Sequence, residues 1–130
     1  MPTQNIIAGS LTGPRRSPSV SAVADTGTFT ALQFVNGINV AAGGSEAAPT
    51  PALLGAYFFA RGGINVGDSF MFVNQTSDGT AATLTANGNT LVGSGVSVAA
   101  AGRAAAFRVI CTAAPTDAAG TGAAFSICRS

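Results

Sequence analysis

Short apolar runs separated by Gly, Asn and Asp fill the chain from Asp25 onward. Runs of this length and spacing are typical of short β-strands joined by tight turns. In the second half of the chain they follow one another at 67–75, 79–86, 90–100, 103–112 and 123–130. Because 130 residues suit one domain with one core, the pattern predicts an all-β fold. We expect an antiparallel β-sandwich or a short jelly-roll-like barrel.

Alternation along two of these runs predicts a sheet whose faces are both partly apolar. Phe70 and Phe72 alternate with Met71 and Val73. In the run 103–112, the two alternating sets are Phe107, Val109 and Cys111, and Arg108, Ile110 and Thr112. A sheet that is buried on one face and contacted on the other has this pattern. We therefore expect the exposed apolar face of the sheet to make subunit contacts.

Two Asn-Gly pairs predict β-hairpins. Asn36-Gly37 lies between TALQFV and INVAA, and Asn87-Gly88 lies between AATLTA and NTLVG. Both central residues of a type I′ turn need positive φ, which Asn and Gly adopt most readily. A two-residue loop at the second pair would place Leu84 opposite Leu91, so that like residues face each other across the ladder.

One short helix is expected at about 50–61. Thr50 is a suitable N-cap, Pro51 suits the first helical position, and Gly62-Gly63 stops the helix. Arg61 lies near the helix C-terminus, where a positive charge is favourable. The apolar side chains at helical spacing are Leu53, Leu54, Tyr57 and Phe58. Such a stripe predicts a helix that packs on an open end of the β body.

The segment 1–24 differs in composition from the domain predicted at 25–130. Three prolines interrupt it and small polar residues lie between them, so it lacks the apolar residues to form a core of its own. We expect an extended N-terminal arm that either stays unattached or becomes ordered on a neighbouring subunit. In the second case the apolar residues fill a groove and the arginines meet carboxylates. The predicted contact residues are Ile6, Ile7, Leu11, Arg15 and Arg16.

The supply of ionisable side chains excludes most catalytic functions. The chain has no His, Lys or Trp, and only 8% of its residues are charged. Ser and Thr therefore lack a neighbouring base to activate them. Asp68 and Asp78, alone or with Asn74, are candidates for a carboxylate pair or a calcium site, but Gly-Asp and Asp-Gly are also ordinary turn dipeptides. We expect turns, no enzymatic activity, no metal site and no cofactor.

The two cysteines leave three alternatives open. Cys111 and Cys128 lie in the similar segments AAFRVICT and AAFSICRS, each of which is a predicted strand. The favoured interpretation is two reduced thiols in a β core, since cytoplasmic thiols stay reduced. If the two strands formed a hairpin with Cys111 facing Cys128, an intramolecular disulfide would be possible. An intermolecular disulfide that locks an assembly is the third alternative.

Charge and hydropathy also limit the kinds of partner that we expect. The formal net charge is +1, so there is no broad basic field for nucleic acid. Residues 1–10 lack a secretion signal, and no apolar run approaches the ~20 residues that cross a bilayer. We expect assembly in a cytoplasm without membrane contact. A surface with so few charges favours association, which predicts a homo-oligomer.

From Thr28 to Thr112 the chain resembles a β module found in structural proteins of tailed phages and other large DNA viruses. The resemblance rests on a TFTALQFVNGINV-like opening, a Pro-marked helical stretch, and the following strands. Its recurring segments are Gly67–Asn74, Ala82–Gly93 and Ala105–Thr112. It implies a virion component, such as a capsid decoration or cement protein, a head spike, or a segment of tail or fibre. It implies no catalytic residues.

The expected function is therefore that of a virion structural protein, a capsid decoration or cement protein that binds the outer capsid surface and stabilises contacts between capsomers. Clamping a shell needs many modest contacts multiplied by symmetry rather than a strong pocket. The expected partners are the major capsid protein or other virion subunits, and a trimer is our guess for the oligomer. The alternative is a spike or fibre domain that binds a host surface receptor.

Overall fold

The computed structural model describes residues 19–23, 27–41, 44–76, 81–93, 98–99 and 103–130. Its elements in chain order are β1 Ser19–Val23, α1 Ala31–Asn36, β2 Gly37–Ala41, β3 Gly44–Ala47, α2 Pro51–Phe59, β4 Ser69–Thr76, β5 Ala82–Thr85, β6 Thr90–Val92, β7 Val98–Ala99, β8 Ala104–Ala113 and β9 Ala124–Arg129. The strands form a six-stranded sheet in the order β1-β2-β4-β8-β9-β6 and a three-stranded sheet in the order β3-β5-β7. The predicted β-rich fold is confirmed in this coarse form.

Both sheets are mixed, so the prediction of a purely antiparallel arrangement is wrong. In the large sheet β4 and β9 flank β8 antiparallel, whereas β1 with β2, β2 with β4, and β6 with β9 run parallel. The connection from β1 to β2 contains α1 and the one from β2 to β4 contains α2. Crossovers of this kind return the chain in the same direction and produce parallel pairs. The large sheet is open, since β1 and β6 are its edges among the described strands.

The first Asn-Gly pair ends a helix and does not form a hairpin. The Thr30 hydroxyl accepts a hydrogen bond from the Gln33 backbone N–H (3.1 Å), and the Gln33 side chain accepts one from the Thr30 N–H (3.0 Å). This reciprocal capping box starts α1. Gly37 then adopts a φ of 107° as the left-handed cap of the helix. Asn36-Gly37 therefore terminates a helix, because the residues before it contain an N-terminal capping box that starts one.

The second Asn-Gly pair forms the predicted turn but not the predicted ladder. Asn87 and Gly88 have φ values of 48° and 94°, as a type I′ turn requires. However, β5 pairs with β3 and β7, while β6 pairs with β9 in the other sheet. Leu84 and Leu91 are therefore not cross-strand partners. The amides of Asn87 and Asn89 instead hold the turn against the segment before α2, by donating to the carbonyls of Ala48 (2.8 Å) and Pro49 (2.9 Å).

The predicted helix is confirmed as α2, which ends at Phe59. Thr50 caps it by accepting a hydrogen bond from the Leu53 N–H (3.2 Å), and Pro51 occupies its first turn. Leu54 and Phe58 are buried, but Leu53 is 53% exposed. The predicted apolar face is therefore only half buried, since apolar side chains occur on all sides of this helix.

Aromatic side chains fill the core on one face of the large sheet, which we name the inner face. The ring centroid of Phe72 lies 4.4 Å from that of Phe34 in α1 and 5.0 Å from that of Phe29. Phe58 of α2 contacts two further rings, Phe70 and Phe125. The buried inner-face residues are Phe70, Phe72, Phe107, Val109, Cys111, Phe125 and Ile127, and Ala82 and Leu84 of the small sheet belong to the same cluster. Both helices and the small sheet thus pack on this face.

The predicted N-terminal arm 1–24 contains a strand of the sheet. β1 pairs with β2 in parallel register, with Ser19 opposite Gly37 and Val23 opposite Ala41. The rest of the predicted arm lies outside the described residues, and with it the predicted contact residues Ile6, Ile7, Leu11, Arg15 and Arg16. The described body of the protein therefore begins at Ser19.

Candidate interaction surface

The second face of the large sheet, which we name the outer face, is built by the residues that alternate with the core. Strand register places Met71, Arg108, Cys128 and Val92 in one row across β4, β8, β9 and β6. A second row contains Ser69, Ile110, Ser126 and Thr90. A third row contains Ile38, Val73 and Ala106. The outer face is thus mainly apolar, with small polar residues in one row.

Among the elements that the structure describes, none packs on the outer face. The helices and the small sheet share the core of the inner face. On the outer face Val92 is 50% exposed, Arg108 is exposed, and Met71, Ile110 and Cys128 are half-buried. Apolar side chains that remain solvent-accessible together on one face are typical of a protein interaction site. The arrangement agrees with the predicted burial of one face of the sheet, and the predicted contact on the other face stays a prediction.

Arg108 is the one charged side chain in the three rows. Its Nη1 donates a hydrogen bond to the Ser69 hydroxyl over 3.0 Å. A guanidinium carries five N–H donors in a planar fork, so the exposed side chain keeps donors available for a further acceptor. The rows contain no Asp or Glu. The three rows therefore carry one positive charge, at Arg108, and no negative charge.

A second exposed apolar area lies on the helices, which cover the opposite side of the large sheet. Leu32 of α1 is 52% exposed, and Leu53 and Phe59 of α2 are 53% and 42% exposed. Next to them the Arg61 guanidinium lies 3.6 Å from the centre of the Tyr57 ring and donates to the Tyr57 carbonyl over 2.9 Å. This contact places the cation at the helix C-terminus, as expected from the helix dipole.

The residues considered for acid-base or calcium chemistry do not come together. Asp68 accepts a hydrogen bond from the Asn65 N–H over 2.9 Å in a turn, which confirms its assignment as a turn residue. Asn74 is buried on the inner face and donates to Glu46 Oε1 over 3.4 Å. Asp78 lies outside the described residues. In the described part of the chain, no three His, Cys, Asp or Glu side chains are placed to hold a metal ion.

The buried contact between Glu46 and Asn74 was not predicted. Glu46 in β3 is fully buried, and the Thr85 hydroxyl donates to its carbonyl over 3.3 Å. The alternation of Phe70 and Phe72, extended by one step, assigns Asn74 to the inner face and could have indicated its burial. No comparable signal marks Glu46, because the pairing of β3 with β5 joins distant segments.

The two cysteines lie on opposite faces of the large sheet, and both are free. Cys111 is buried on the inner face opposite Phe125, whereas Cys128 lies on the outer face opposite Arg108. This register does not allow an internal disulfide between them. Burial raises the pKa of the Cys111 thiol above its ordinary value of 9.0, and the Asp68 carboxylate raises it further. Cys111 is thus a core thiol, as the favoured interpretation predicted, while Cys128 belongs to the candidate surface.

Comparison with known proteins gives no match, whether with protein-family models, curated proteins or solved structures. The resemblance to phage structural modules therefore stays a prediction from the sequence. Neither of the two helices in the described ranges has the length and apolar character needed to cross a membrane. The site that the geometry offers is the outer face of the large sheet, with Arg108 near its centre.

Proposed function

We propose that this chain is a virion structural protein, a capsid decoration or cement protein that binds the outer capsid surface and stabilises contacts between capsomers. The observation that carries the proposal is the one-sided core: every described helix and the small sheet pack on the inner face. Two rows of mainly apolar side chains that include one cation, and one row of mainly small polar side chains, remain on the other side. Burying such a face contributes about 25 cal/mol per Å² of apolar surface, which is offset in part by the entropy lost on association.

The dimensions of the outer face suit a protein partner. Six strands at a spacing of ~4.8 Å, and about 3.3 Å per residue along each strand, give a sheet roughly 24 Å wide and about 20 Å long. This is a projected area of roughly 480 Å², so contacts around the rim would have to supply the rest of the about 800 Å² that a specific interface buries on each partner. Short side chains lose little rotamer entropy when covered. Many copies arranged by the symmetry of a shell would multiply a modest contact.

The same proposal extends to architecture and assembly. The two sheets would act as the layers of a sandwich, because Ala82 and Leu84 of the small sheet share a core cluster with Phe72 and Phe107. The arm residues Ile6, Ile7, Leu11, Arg15 and Arg16 would reach neighbouring virion subunits. A homo-oligomer, proposed to be a trimer, would place several outer faces on one shell site.

A co-sedimentation experiment tests this function. Purified protein is mixed separately with emptied shells of the virus that encodes it and with the host cells of that virus. A cement protein binds the shells to a fixed number of copies and leaves the cells unbound. Binding to the cells without binding to the shells would contradict the proposal and support the alternative, a head spike or a tail or fibre domain that grips a host receptor.

A further inference from the structure

We infer that the outer face binds an apolar segment of a different protein that carries an Asp or Glu carboxylate, and that Arg108 pairs with this carboxylate. The inference deepens the proposed function, on which it rests, since it specifies the chemistry of the shell segment that the face contacts. Two observations support the inference. Arg108 is a single cation within an apolar surface, and the other possible occupants of the outer face, a second copy of this chain and its N-terminal segment, differ from the proposed partner in charge.

The geometry around Arg108 favours a carboxylate partner. Met71 and Cys128 flank it across the two neighbouring strands. A partner that covers this row removes water from the guanidinium, which costs free energy unless the partner supplies an acceptor. The Ser69 hydroxyl satisfies one donor, and a carboxylate fits the fork of the remaining donors in a bidentate geometry. An apolar partner without a carboxylate would leave the cation buried and unsatisfied.

Charge disfavours a two-fold contact between the outer faces of two copies of this chain. In a two-fold symmetric contact the same surface is used on both subunits. The three rows then meet with Arg108 as the charged residue on each side and no Asp or Glu among them. Like charges held in an apolar contact cost several kcal/mol. Charge complementarity therefore favours a partner of different sequence.

The N-terminal residues of this chain do not supply the carboxylate that the proposed pairing needs. The segment 1–18 contains no Asp or Glu, and its charged side chains are Arg15 and Arg16. Placing it on the outer face would add positive charge next to Arg108 without any acceptor carboxylate. Under the proposed function, the carboxylate that pairs with Arg108 belongs to a subunit of the shell.

A thiol footprint tests whether the face is covered, and the chain carries its own control. Cys128 lies on the outer face and Cys111 in the core of the inner face. Alkylation by N-ethylmaleimide is followed by mass spectrometry for the free protein and for the shell-bound protein. We expect Cys128 to react at least about tenfold more slowly in the bound protein, because opening of the interface limits access, while Cys111 stays slow in both states. An unchanged rate at Cys128 would overturn the inference.

A second thiol is needed if the half-buried Cys128 reacts too slowly in the free protein for a further decrease to be measured. Val92 lies next to Cys128 in the same row and is 50% exposed. The variant Val92→Cys, in a chain with Cys128→Ala, presents a more accessible thiol at the same surface. Its alkylation should slow on shell binding in the same way, and equal rates in the two states would contradict coverage of the face.

Charge reversal tests the proposed pairing. Arg108→Glu should weaken binding to the shells about 30-fold or more, since truncating a buried charge pair costs at least about 2 kcal/mol. Arg108→Lys should keep part of the affinity. Arg61→Glu is the matched control, because it makes the same change on the helices that cover the opposite side, and its affinity should equal that of the wild type. Thermal melting of each variant checks that it is folded.

The outcomes separate the inference from the proposed function. If the wild type does not bind shells, the proposed function fails. If the wild type binds and Arg108→Glu binds equally well, the function stands and the inference is wrong. Stronger self-association of Arg108→Glu would instead identify a second copy as the occupant. Faster alkylation of Cys128 after deletion of 1–18 in the free protein would identify the chain's own N-terminal segment, and either result overturns the inference.

Discussion

The contact between α2 and the loop before β9 makes a prediction about Gly55 that opposes the usual rule for helices. Replacing Gly by Ala inside a helix ordinarily stabilises it by about 1 kcal/mol. Gly55 is buried in α2, and a Cβ built there would lie 2.6 Å from the Ala123 Cβ and 3.1 Å from both the Cα and the carbonyl oxygen of Gly120. Carbon atoms normally approach to about 3.5–4.0 Å, so the loop has to move.

Overpacking of this kind costs about 1–3 kcal/mol, and three close contacts at once place Gly55→Ala at the upper end of that range. After subtracting the helix gain of about 1 kcal/mol, we expect a net loss of about 2 kcal/mol in the free energy of unfolding. The measurement is the urea midpoint, read by circular dichroism with an unchanged slope. A midpoint above that of the wild type would refute the reasoning.

A double-mutant cycle with Ala123→Gly isolates the cause. This second change removes the nearest atom, while the two contacts to Gly120 remain. The pair should therefore be less destabilised than the sum of the two single variants, with a coupling of about 1 kcal/mol. A coupling of zero would show that the loss at Gly55 arises elsewhere. Shell binding by these variants should match that of the wild type, since the contact lies away from the outer face.

Three further predictions follow from backbone geometry and titration. Gly120→Ala should destabilise by at least about 2 kcal/mol more than Gly67→Ala. Both have positive φ, but only the Cβ at 120 would meet α2, and urea midpoints compare them. Burial raises the pKa of Cys111 above 9.0, so the unfolded chain loses this proton first and stability falls as pH rises above that value. Cys111→Ala should remove this fall, which unfolding curves between about pH 7 and about pH 10 would reveal, and an identical fall in the variant would contradict it. Backbone and side-chain hydrogen bonds from Thr121 lower the pKa of Asp117 below 3.8. The contribution of the Asp117 carboxylate to stability is therefore present above that pH and is lost as pH falls through the folded-state pKa. Asp117→Asn should lose less stability than the wild type on acidification, and an equal loss in both proteins would contradict the assignment.

Local signals explain which parts of the fold could be predicted from the sequence. The Thr50-Pro51 start of α2 and the alternation around Phe70 and Phe107 depend on neighbouring residues, and these elements are confirmed. The Asn36-Gly37 dipeptide fits both a hairpin and a helix end, and the capping box at Thr30 is the local signal that decides for the helix end. The parallel pairs and the assignment of β5 and β6 to different sheets depend on contacts between distant segments, which turn signals do not specify.

The same distinction applies to the candidate surface. Alternation predicted a face with Arg108 and Ile110 on it, because that pattern lies within one strand. The neighbours of Arg108 across the sheet depend on strand register, which also separates Cys111 from Cys128 and excludes their bridge. The arm residues predicted to contact partners lie outside the described residues, so their role remains a prediction.

A density map of the virus particle with this protein bound tests the central claim most directly. We predict a homo-oligomer of the domain at each symmetric outer site, with the outer face of each large sheet against the shell and Arg108 beside a carboxylate of a shell subunit. Density that shows the outer face turned to solvent and the helices against the shell would contradict the proposed surface. A particle without density for this protein would contradict its proposed role in the virion.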